Sequence, residues 1–174
     1  MDTIIAAVAA FGGVLLGAWI TGRQQQAQRR ADFLEHQLRD FYSPLLSLRD
    51  QILAKSQLRE KILSVARKDS RIEGDQFARL IQHDTDHFVQ EIFPDYQTML
   101  TILRNNYWLA KAETRSYFSA FFEFVEIWNR WLNRTIPAEV VSVVGHSEES
   151  LQPFYEHLRS EHDELQTRLS RGEA

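Results

Sequence analysis

No cysteine occurs in the 174-residue chain. This excludes disulfides, thiolate metal sites and cysteine nucleophiles, but leaves the compartment open, since reducing and oxidising environments both hold such proteins. Glycine and proline are scarce, at seven and four, and Gly12, Gly13, Gly17 and Gly22 all crowd into the first segment. The remainder is poor in breakers and rich in Leu, Arg, Glu and Gln, a composition that reads as all-helical. Catalytic signatures are missing too. There is no Walker A loop, no Rossmann glycine pattern, no His-Glu-x-x-His and no nucleophile-elbow context, so nothing specific points to an enzyme. Charge is the last absence, with none from Thr3 to Thr21.

That uncharged run organises the chain. As a helix rising about 1.5 Å per residue it spans about 28 Å, close to the hydrocarbon thickness of a bilayer. A cleaved secretory signal wants a basic start, a shorter apolar core and a small-x-small site. Here Asp2 is the one charged side chain before the run, and Ile20-Thr21-Gly22 is a poor site. Residues 1–22 are therefore expected to form an uncleaved transmembrane anchor, and 23–174 a single helical domain. The first basic residues, Arg23, Arg29 and Arg30, follow the run. The positive-inside rule then puts the N-terminus outside and the C-terminal domain in the cytoplasm, at the inner membrane. Trp19 falls at the interface, and the three arginines fall near anionic headgroups.

Gly13-Val-Leu-Leu-Gly17 is a GxxxG motif, extended by Ala9 as small-xxx-small. Such small residues let two membrane helices approach closely, so a homo-oligomer or a membrane protein partner is expected. The same face continues downstream. Ile20, Leu34, Leu38, Phe41, Leu45, Leu48 and Ile52 share a 3-4 register that runs back through Ala31, Ala27 and Gln24 to Gly17. This is the seam of a bundle or coiled coil. At Lys55 and Arg59 the register is expected to fail, with Leu58, Ile62 and Val65 carrying the stripe one position earlier. Pro44 interrupts the seam and predicts a kink or a break.

The run from Phe33 to Arg49, with Phe41-Tyr42-Ser43-Pro44 at its centre behind an N-terminal apolar segment, resembles small bacterial single-pass membrane-anchored proteins of uncharacterised function. The resemblance covers residues 1–65 and implies a bacterial source and a single anchor, with no activity attached.

Further along, Lys68 to Gly74 reads as a polar turn, followed by a helix with a second internal proline, Pro94. Tyr107 to Asn133 reads as one helix, apolar nearly all round and so central. Thr135 to Ser147 is a crossover, and Ser147 caps a last helix carrying Leu151, Phe154, Leu158 and Leu165. The fold expected is thus all-α, a transmembrane helix followed by an antiparallel bundle of about four helices.

Charge divides the chain. From Arg23 to Arg71 there are 11 Lys/Arg against 6 Asp/Glu, and from Ile72 onward 9 against 17. Two oppositely charged halves that pack together explain this, and the absence of a net basic domain argues against a nucleic-acid partner. The sharpest candidate chemistry is His83-Asp-Thr-Asp-His87, two imidazoles one turn apart as a shared divalent metal requires. His157 and Glu161 could complete such a site from the last helix. No Glu-x-x-His unit of a di-iron bundle is present. The reading is a membrane-tethered helical interaction or scaffold protein of a signalling, stress or defence assembly. Its alternatives are a metal-binding bundle using His83 and His87 and a small oligomeric membrane effector.

Overall fold

The computed structural model describes residues 21–69, 72, 74–144 and 146–172, and among these there is helix and short connection but no strand. Helix α1, residues 21–37, passes through a π-helical turn, Leu38–Tyr42, into α2, Ser43–Lys68. After the turn come α3, Gly74–His87, a second π-helical turn, Phe88–Ile92, and α4, Phe93–Asn105. A 3-10 turn, Tyr107–Leu109, leads to the short α5, Ala112–Ser116, and to α6, Phe118–Leu132. Helix α7, Ala138–Val143, lies in the crossover. A 3-10 turn, Glu148–Leu151, capped by the Ser147 hydroxyl accepting from Glu149 N–H, feeds α8, Gln152–Ser170.

Neither internal proline breaks its helix. Proline lacks the N–H that an α-helix would give to the carbonyl four residues back, and its ring crowds that carbonyl. In both places one widened turn lies just ahead of it. Ser43 N–H reaches back to Leu38 O, and Phe93 N–H to Phe88 O, each five residues away. The backbone stays right-handed helical through Tyr42, Ser43, Ile92 and Phe93. The break or kink expected at Pro44 is replaced by a π-bulge in a continuous helix.

Cross-helix contacts establish the direction of packing. Going up α1 and α2, Asp40 O meets Asn106, Lys55 meets Asp95, and Arg59 meets Asp84. The partner numbers fall as the first numbers rise, so α2 and α3–α4 are antiparallel. Tyr107–Phe118, Tyr96–Phe124 and Phe88–Trp128 run the same way for α4 against α6. Tyr117–His157 and Phe121–Phe154 do so for α6 against α8. The result is the expected all-helical bundle, centred on Phe41, Tyr42, Leu45, Ile52, Ile92, Met99, Phe121, Phe154, Leu158 and Leu165, each sealed from solvent.

Three expectations change. After Ile52 the inward face does not pass to Leu58, Ile62 and Val65. Lys55 and Arg59 keep facing the neighbouring helix because acids wait there, and Ala66 further along is buried. Leu58, Ile62 and Val65 are left outside, 56%, 47% and 59% exposed. The stretch from Tyr107 is not one helix, since Ala110 and Lys111 are extended. Nor is α6 central: Phe121, Phe124 and Val125 are buried, but Phe122 faces outward under the Arg104 guanidinium.

Among the described residues no helix is long and apolar enough to cross a membrane. The expected anchor up to residue 20, with Gly13, Gly17 and Trp19, lies outside the described residues.

Candidate functional site

The first candidate surface is the start of α1. Residues 21–30 are exposed throughout, and Leu34 is the first buried side chain. Helix persists here because it is continuous with a packed helix, and propagation is far easier than nucleation. Arg29 and Arg30 line a shallow groove with Phe33, Lys111 and Arg168. Lys111 is held by Glu161 and Glu164. Among the described residues Arg29 and Arg30 have no ion-pair partner, so their charge faces outward. Arg23 also lies on this exposed stretch.

The second is the seam between α2 and α3, where His83 and His87 stand. As the spacing predicts, both border one shallow pocket of about 190 Å³, in company with Leu58, Ile62, Leu63 and Leu80. His83 is exposed and His87 half-buried. Asp84 between them is committed elsewhere, its carboxylate accepting from Arg59 Nε at 2.7 Å and from Nη2 at 2.5 Å. That forked pair holds the Asp84 carboxyl below the usual carboxylate range, against the opposing effect of burial. Arg59 also stacks over Phe88, 5.2 Å from its ring centre.

The proposed completion from the last helix does not form. His157 Nε2 lies 2.9 Å from Thr114 Oγ1, and Glu161 pairs with Lys111 Nζ. Among the described residues no group of three or more His, Asp or Glu side chains gathers as a metal would need. His83 and His87 remain a pair without a third ligand.

The third is a buried polar chain that the sequence did not announce. Tyr42 OH lies 2.9 Å from Thr114 Oγ1 and accepts the Lys111 N–H at 3.2 Å. Thr114 passes the chain on to His157. One and a half turns earlier, Gln37 Nε2 donates to Leu109 O at 2.6 Å. Burial pushes the Tyr42 phenol above its ordinary value, partly offset by its bonds to Thr114 and Lys111. These groups satisfy the backbone where the chain leaves helical geometry between Leu109 and Lys111. Their role in the fold is to hold this break in place.

Lys55 and Arg59, polar side chains at positions continuing the apolar register, did carry a signal, and each has a specific distant partner; Gln37, between register positions, carried none. No protein-family model, no curated protein and no solved structure matches this chain.

Proposed function

We propose that the chain is a single-pass, membrane-tethered helical scaffold, bacterial in source, that self-associates and offers an apolar helical stripe to a protein partner. On this reading residues 1–22 anchor it in the inner membrane with the bundle on the cytoplasmic side. Gly13 and Gly17 pair the membrane helices, Trp19 sits at the interface, and Arg23, Arg29 and Arg30 meet anionic headgroups. The assembly would be one of signalling, stress response or defence.

The observation that carries the reading is the stripe Leu58, Ile62 and Val65. These residues are spaced i, i+4 and i+7 on α2, all exposed, and Ile81 on the neighbouring α3 is 37% exposed. Such spacing on an exposed helix is how amphipathic helices present anchors to a groove or to another helix. The continuous helix from residue 21 into the bundle supports the tether, because it would carry any rotation at the membrane into the domain.

The test is in-cell crosslinking through a C-terminal tag, with mass spectrometry of the species recovered in stoichiometric amount. A Leu58→Glu/Ile62→Glu variant is run beside it. A distinct protein recovered with the parent chain and lost with the variant supports the scaffold reading. A crosslinking pattern unchanged by the variant removes the stripe from it.

A further inference from the structure

A further cavity, of about 270 Å³, opens between α2, α3, α6 and the segment leading to α8, sharing Arg59 with the His83–His87 pocket. Its walls are aromatic. Phe88 packs on Trp128 with ring centres 4.5 Å apart, Trp128 meets Trp131 edge to face at 5.2 Å, and Phe124 lies 4.4 Å from the His146 ring. We propose that this cavity binds a small primary or secondary organic ammonium ion, held against Trp128 and Trp131 with its charge toward Glu148 and an N–H toward His146.

Four observations select that class of ligand. Indole and phenyl faces attract cations through their quadrupoles, and tryptophan does so best. The cation on the wall, Arg59, is already committed, forked onto Asp84 and stacked on Phe88. It therefore leaves little charge for an anion. Glu148 borders the cavity and has no ion-pair partner among the described residues, and Glu123 adds a second carboxylate field at His146. Finally, His146 Nε2 is buried without a hydrogen-bond partner. Burial lowers the affinity of this imidazole for a proton, with Glu123 opposing, so at neutral pH the ring is neutral and has a lone pair to offer.

A purely apolar guest would leave the buried His146 nitrogen unpaired, and a quaternary ammonium has no N–H to give it. A volume of about 270 Å³ admits a small amine of one ring and a short chain.

Phenethylammonium has that size and 2-phenylethanol is its uncharged isostere, so the two form a matched pair of probes. The full-length chain in detergent micelles is titrated with each, following the indole N–H resonances of Trp128 and Trp131. Phenethylammonium is expected to shift both resonances saturably and to bind at least about tenfold tighter than the alcohol, with phenylacetate weakest. Glu148→Gln, at an exposed position, abolishes the preference for the ammonium over the alcohol, while Glu148→Asp retains it. Each variant's thermal melt confirms the fold, and partition into micelles is common to all.

Equal affinities for amine and alcohol overturn the proposal. So do a preference for phenylacetate, a Glu148→Gln variant that keeps the preference, and the absence of any saturable indole shift.

Discussion

Tyr42 is fully buried yet carries a hydroxyl, and a hydroxyl in that position has to be used. It serves two groups at once, the Thr114 side chain and the Lys111 amide. Tyr42→Phe preserves the ring and its edge contact with Phe41 but leaves the Lys111 amide without its acceptor and Thr114 with His157 alone. It is expected to cost about 1–3 kcal/mol, the penalty for buried donors left unpaired, and urea titration of the variant measures it. Asp84 gives a second test at this scale, with a direction in pH. Its folded-state affinity for a proton is depressed, chiefly by Arg59. The link is therefore fully in place above the unfolded-state value near pH 4 and is lost as pH falls through the lower folded value. Asp84→Asn should be less stable than the parent by about 1–2 kcal/mol at pH 7, a forked pair only partly shielded from solvent. The gap should close on acidification below pH 4. A gap that stays constant to pH 2 would mean that the pair contributes nothing through its charge.

At the scale of the element, the two prolines show what periodicity can and cannot convey. The stripe through Leu34, Phe41, Leu45 and Ile52 correctly placed the inward face of α1 and α2 across Pro44. It could not tell a kink from a widened turn, because that depends on what the freed carbonyl meets. The N–H that Pro44 lacks would have gone to Asp40 O, and Asn106 Nδ2 donates there instead at 3.1 Å. The proline and the asparagine at the end of α4 are thus two halves of one contact. Asn106→Ala should destabilise the parent by about 0.5–1.5 kcal/mol and be nearly silent in a Pro44→Ala background, where a backbone N–H returns to Asp40. Equal costs in the two backgrounds would show that the proline does not create the acceptor. The break at Ala110–Lys111 was illegible for a related reason. It has no glycine or proline, and what stabilises it is Gln37 and Tyr42, some 70 residues away in sequence, with Arg115 Nε donating to Ala110 O at 2.9 Å.

Across the whole molecule the charge asymmetry was informative, and its use is specific. Lys55, Arg59 and Arg49 on α2 reach Asp95, Asp84 and the face of Tyr155, while Arg159 reaches back to Asp50. Charged residues inside the register were misread as the end of the stripe because an apolar pattern cannot see acids on another helix. Most consequential for the proposed function is the uninterrupted helix that enters the bundle. From Arg23 to Arg30 it rises about 11 Å with its side chains in solvent. If copies pair along one face from Gly13 to Ala31, the membrane segment and the bundle must hold a fixed rotation about that axis. Two helix-forming residues inserted after Gln25 turn one part by about 200° against the other, whereas seven turn it to within about 20° of its starting direction. Both insertions lie in exposed helix and should leave the thermal unfolding of the bundle unchanged. Crosslinking between copies at Ala31 should fall severalfold with two residues and survive with seven. Were both insertions to crosslink like the parent chain, the anchor would be a passive tether, and association would have to reside in the bundle alone.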